Sequence, residues 1–234
     1  MLYGICMASV GCGHVHDAAG RDPEVVRPGE VLSFPVLYQQ NCSGCHGENG
    51  KNGPAISLAN PVYLALAGED HLRETVSKGV NGGLMPAFAR SAGGTLTDQQ
   101  VSAIVQGLIH QWGKPDVFTG LPSYVATLSG DAVRGQQVYG DFCARCHGPA
   151  GEGGVSDRKG NSAKLGSIVD PSYLALISNQ NLRSITIAGR PDEDMPDWRS
   201  DASQPLTDQQ ITDVVAWMAS KRVANPGQPY LSQR

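Results

Sequence analysis

The arrangement of apolar and polar positions repeats itself along the chain. Leu96-Thr97-Asp98-Gln99-Gln100-Val101 and Leu206-Thr207-Asp208-Gln209-Gln210-Ile211 each place a polar cap between apolar flanks. Thr followed three residues later by Gln is a capping box, and Leu before it with an apolar residue at the fourth helical position makes a hydrophobic staple. Helices are expected at about 98 to 111 and 208 to 221. Asn60-Pro61 and Asp170-Pro171 pair a capping side chain with proline at the first helical position, and both lead into Tyr-Leu-Ala-Leu. Gly79 and Gly189 suit the left-handed position that ends a helix. Strand-like alternation is nearly absent, so the expected fold class is all-α. No segment reaches the ~20 apolar residues that a membrane-spanning helix requires.

The two halves align with one interruption. Tyr38, Cys42, Cys45 and His46 match Tyr139, Cys143, Cys146 and His147 at an offset of 101. Beyond that the offset is 110, at Pro61 and Pro171, Leu72-Arg73 and Leu182-Arg183, Met85-Pro86 and Met195-Pro196, and the two capping boxes. A nine-residue insertion between His147 and Pro171 accounts for the change. It falls in a Gly-rich stretch, where added loop length costs little. The chain therefore reads as a duplicated domain.

Its 234 residues suit two small domains, and 17% charged residues with 29 Gly and 15 Pro imply a modest set of helices joined by loops. The expected division is a signal-like segment at 1–12, a flexible linker at 13–30, a first domain at 31–113, a linker at 114–130, a second domain at 131–223 and an extended tail at 224–234. A net charge of −4, with no basic cluster longer than Lys221-Arg222, argues against a nucleic-acid partner. Leu2 to Val10, ending in Gly11-Cys12, reads in two ways: as the tail of a lipoprotein signal with Cys12 lipid-anchored, or as an uninformative apolar N-terminus.

Four of the six cysteines form the motifs Cys42-Ser-Gly-Cys45-His46 and Cys143-Ala-Arg-Cys146-His147. Cys-x-x-Cys-His is the attachment motif of haem c: the thiols add to the vinyl groups and the adjacent His becomes the proximal ligand. A redox dithiol has no need of that His, and a zinc site would need a fourth ligand. An iron so held takes a second axial ligand, which should recur in both repeats. Met85 and Met195 do recur, displaced from their histidines by the same insertion. Met218 faces Leu108 in the other repeat, and His71 and His110 face Asn181 and Ser220, so none of these recurs.

With these motifs the chain resembles tandem class I cytochrome c domains, as in bacterial di-haem cytochromes and the di-haem subunits of oxidases and dehydrogenases. The resemblance covers residues 31 to 223. It implies two covalent haem c groups on Cys42, Cys45, Cys143 and Cys146, with His46/Met85 and His147/Met195 as axial pairs. It implies single-electron transfer between a redox protein donor and acceptor in a respiratory or photosynthetic chain, with a larger membrane complex as one setting. It places the protein in the periplasm or on the outer face of the cytoplasmic membrane. The alternative is a di-haem oxidoreductase of peroxidase or thiosulfate dehydrogenase type. That chemistry needs an open iron or a Cys ligand, and Cys6 and Cys12 both precede the first motif and lack counterparts in the second repeat.

Gly135-x-x-x-Tyr139 looks like the family's opening helix, with Trp217 as the glycine's aromatic partner on the closing helix. In the first repeat Phe34 takes the glycine's place and Gly107 the tryptophan's, so a small-large pair becomes large-small. Pro35 predicts a short or kinked opening helix there. Asp192, Glu193, Asp194 and Asp197 surround Met195. They read as a solvated loop or as an acidic rim that steers a basic partner.

Overall fold

The computed structural model describes residues 26–81, 83–114, 118–158, 161–199 and 204–224, with backbone alone at 156–158 and 161–163. The signal-like segment, Cys12, the linker's residues 115–117 and nearly all of the tail lie outside them.

The first half contains α1 (Phe34–Asn41), the single turn α2 (Ser43–His46), α3 (Pro61–Lys78) and α4 (Asp98–Trp112). The second contains α5 (Ala132–Phe142), the turn α6 (Ala144–His147), α7 (Pro171–Leu176), α8 (Asn179–Ala188) and α9 (Asp208–Ser220). Helix α1 has 8 residues against 11 in α5, because Pro35 occupies its first turn. Both capping boxes form. Thr97 and Thr207 accept from the N–H of Gln100 and Gln210, whose side chains accept from the threonine N–H at 3.0 and 2.9 Å.

Val101, Ile104, Val105 and Leu108 are buried on one face of α4, and Ile211, Val214, Val215 and Met218 on one face of α9. The opening helix of each half crosses on another face of these helices, at Gly107 in α4 and at Asp213 and Trp217 in α9. Helix α3 bends at Gly68 (φ 67°), and at the matching place the second half breaks outright, with Ser178 capping α8.

One departure from the helical expectation lies inside the insertion. Gly154–Arg158 and Asn161–Leu165 pair as an antiparallel hairpin, with Gly154 opposite Leu165. It extends one surface loop and leaves the all-α class unchanged.

Residues 118–130 of the expected linker lie along the second half. The carbonyls of Ser123 and Tyr124 accept from the buried Arg183 guanidinium, and the carbonyl of Ser129 accepts from Gln209. Arg183 also bonds Thr212 and pairs with Asp208. The Tyr124 ring rests 4.4 Å from that of His71, in the first half.

Candidate functional site

Each Cys-x-x-Cys-His motif folds as one helical turn. His46 N–H donates to the Cys42 carbonyl at 3.0 Å, and His147 N–H to that of Cys143 at 3.0 Å. Residues i, i+3 and i+4 of a helix share a face, so both thiols and the imidazole of each motif project to one side. Among the described residues no three His, Cys, Asp or Glu side chains gather so as to hold a bare metal ion. The four described cysteines are free thiols. Burial, then the neighbouring thiol, pushes Cys42 and Cys143 up to about 11. Two thiols beside one imidazole on a single turn fit a macrocycle that would attach through thioethers and take the imidazole as an iron ligand.

The same geometry frames both turns. The Tyr38 hydroxyl donates to the Gly47 carbonyl at 2.7 Å, and that of Tyr139 to the Gly148 carbonyl at 2.5 Å. Burial raises both phenols to about 12, so they remain donors at any physiological pH. His46 Nδ1 bonds the Ile56 carbonyl at 2.8 Å, which leaves Nε2 as the nitrogen with a free lone pair. The sites differ here, because the buried His147 Nδ1 has no hydrogen-bond partner among the described residues. Burial lowers both histidines, which keeps the imidazoles neutral and able to ligate.

An indole rests on each of these tyrosines. Trp217 stacks on Tyr139 at 4.1 Å, and Trp112 meets Tyr38 edge-on at 5.2 Å. A Cβ on Gly50 or on Gly151 would approach the tip of Trp112 or Trp217, at 2.9 and 3.4 Å. Trp112 therefore supplies from five residues farther along α4 the ring that Trp217 supplies in the second half. The repeat alignment gives no sign of this, since Trp112 stands opposite Arg222.

Met85 and Met195 occupy the same backbone frame. Gly79 (φ 70°) and Gly189 (φ 66°) end α3 and α8, and a Cβ on either would collide with the backbone of the methionine loop at 2.6 Å or less. Val80 N–H donates to the Met85 carbonyl and Arg190 N–H to that of Met195, both at 3.0 Å. Each loop then closes by a bond from Leu96 to Phe88 or from Leu206 to Trp198.

The acidic run is not a free rim. The Asp192 side chain is 4% exposed, lies 3.9 Å from Arg190 and accepts from the N–H of Asn52 in the first half. Glu193 pairs with Arg190 at 2.8 Å, and Asp197, 18% exposed, with Arg199 at 2.6 Å.

A cytochrome c family profile matches residues 132–221, and a profile for subunit III of cbb3-type cytochrome c oxidase matches residues 30–106. Each half of the chain is thus a haem-binding cytochrome c domain. The protein belongs to the tandem di-haem cytochromes c, with two c-type haem sites at the two Cys-x-x-Cys-His turns.

Similar curated proteins include the cbb3-type cytochrome c oxidase subunit FixP of Rhizobium etli, 32% identical over 57% of this chain and 44% of its own length. Another is subunit CcoP of Azospirillum sp. (strain B510), 24% identical over 59% of this chain and 48% of its own. The chain spans about half the length of the curated relatives it matches. Among solved structures, the Kuenenia stuttgartiensis reducing HAO-like protein complex Kustc0457/Kustc0458 aligns with 81% of this chain and 96% of its own at 18% identity, with a TM-score of 0.46.

Proposed function

We propose that the chain relays single electrons between a protein donor and acceptor, as the electron-transfer part of a membrane respiratory complex resembling the cbb3-type oxidases. Cys42, Cys45, Cys143 and Cys146 form the thioethers. His46 with Met85, and His147 with Met195, would hold the two haem irons. The observation that carries this reading is the shared frame of the two methionines, since a structural filler would have no reason to sit twice in one glycine-bounded, hydrogen-bonded loop.

The haem groups supply a one-electron iron couple. The protein would supply neutral imidazoles, with His46 oriented through Ile56, and methionine thioethers that would favour the reduced state and compete with oxygen or peroxide for the irons. That coordination fits a carrier better than a peroxidase or thiosulfate dehydrogenase. No described helix is long and apolar enough to cross a membrane. For the outer-face location we propose a partner subunit or Cys12, which lies outside the described residues, as the means of attachment.

The test is the haem content of denatured protein together with turnover. Two haems should survive acid-acetone extraction, and the protein should exchange electrons with artificial partners while consuming neither peroxide nor thiosulfate. One haem per chain, or haem lost on extraction, overturns the assignment of sites. Turnover of either substrate overturns the carrier role.

A further inference from the structure

The seam between the halves is built from positions at which the two repeats differ. Asn60 caps α3, its Oδ1 accepting from Val62 N–H at 3.0 Å and Tyr63 N–H at 3.4 Å. Asp170 does the same for α7 at the matching position. Only an amide can also donate, and Asn60 Nδ2 donates to the carbonyls of Ala188 and Gly189 at 2.9 and 3.3 Å. Those carbonyls are orphans at the C-terminal end of α8. One side chain, 1% exposed, thus joins the start of a first-domain helix to the end of a second-domain helix.

Beside it, the Arg190 guanidinium donates to the Gly53 carbonyl at 3.1 Å, and Asp192 accepts from Asn52 N–H at 3.0 Å. The first repeat carries Val80 where the second has Arg190. Asn52 and Gly53 belong to the loop that follows the first Cys-x-x-Cys-His turn, and a Cβ on Gly53 would lie 2.3 Å from the Cys45 carbonyl.

The gripped segment, Ala188 to Asp192, is the one that holds Met195. Arg190 and Met195 form an antiparallel bridge, each N–H donating to the other's carbonyl at 3.0 Å. We infer that the first domain braces the methionine loop of the second site, and that Asn60 and Arg190 are positioning residues for Met195. The inference rests on Met195 being an axial ligand. Through this brace, the hold of sulfur on the second iron depends on the docking of the first domain. Opening the loop exposes one buried end of the seam, so the closed state keeps Met195 in place as long as the two domains stay docked.

The experiment is carbon monoxide binding to the reduced full-length di-haem protein, in which each methionine must leave before the gas can bind. Met85→Ala and Met195→Ala identify the two kinetic phases. Asn60→Asp keeps the helix cap but sets a carboxylate against two carbonyls, and Arg190→Gln removes the charged donor. Each should accelerate the Met195 phase by about tenfold or more, the loss expected for a charge-assisted or buried bond, and leave the Met85 phase unchanged. Arg190→Lys should restore part of the loss. If Asn60→Asp does not fold, Arg190→Gln decides. Faster tryptic cleavage after Lys51, the exposed residue next to Asn52 in the gripped loop, without a change in the Met195 phase would show loosened docking alone and overturn the brace. If Met195→Ala moves neither phase, the ligand assignment fails first and the inference with it.

Discussion

Phe34 covers Gly107 so closely that a Cβ on the glycine would lie 2.2 Å from the phenyl ring. In the second domain the relation is inverted: the glycine is Gly135 on the opening helix, and its Cβ would meet the Asp213 carbonyl at 2.0 Å and the Cβ of Trp217 at 2.9 Å. In the first crossing a large side chain thus covers the bare glycine, whereas in the second the bare glycine lets backbone approach backbone.

Gly107→Ala should cost about 1–3 kcal/mol through overpacking. Its obstacle is a side chain, so Phe34→Ala in the same background should recover part of the loss. Gly135→Ala faces a backbone carbonyl, and Trp217→Ala, itself costing about 3–5 kcal/mol, should rescue none of it. Thermal unfolding of the single and double variants measures both couplings, and rescue of Gly135→Ala would mean that the side chain sets the crossing there.

Met85→Ala and Met195→Ala should each abolish one sulfur-to-iron charge-transfer band, lower one of the two potentials and open one iron to carbon monoxide. Optical spectra and redox titration of the di-haem protein check this. An unchanged spectrum in either variant removes that methionine from the ligands.

Much of this was legible because the repeat acts as an internal control. The capping boxes, the Asn60 and Asp170 caps, the glycine stops and the paired methionines are local patterns that occur twice. What escaped depends on distant partners. The second role of Asn60 uses carbonyls 128 and 129 residues away, and Trp112 does the work of Trp217 from outside the repeat register. The hairpin at Gly154 lies in the insertion, where the other repeat offers nothing to compare.

Asp213 gives the second domain its own acid sensitivity. Burial alone would raise its pKa, but the Arg134 guanidinium at 2.8 Å, the Asp131 N–H and Gln209 together hold the carboxyl below its ordinary value. A depressed folded pKa contributes stability that is present above the unfolded value of about 3.9 and is lost as pH falls through the folded one. The first domain has Ala103 at this place. Acid titration followed by circular dichroism should show the second domain losing stability below about pH 4. Asp213→Asn should be less stable at neutral pH and flatten that domain's acid dependence alone. An equal change in both domains would mean that the effect is not local to this carboxylate.

The acidic run around Met195 should contribute little to partner steering, because its charges are already engaged within the protein. Asp192 is buried in the seam, and the guanidinium of Arg190 faces both Asp192 and Glu193. Asp197 is held by Arg199, whose guanidinium also lies 4.8 Å from the Trp198 ring. Long-range steering depends on an uncompensated field at the surface, and pairs within one loop cancel most of theirs beyond a Debye length. Asp197→Asn should therefore leave reduction by a small cationic donor within about twofold at low salt, the scale of a weakly coupled exposed pair. The salt dependence should match that seen with a neutral donor. Asp192→Ala should instead act on stability, by about 0.5–1.5 kcal/mol, because the Asn52 N–H loses its acceptor across the seam. Stopped-flow reduction at low and high ionic strength, paired with thermal unfolding, separates the two effects. A rate that falls steeply at low salt with the cationic donor alone, without loss of stability, would return these residues to the surface as a docking rim.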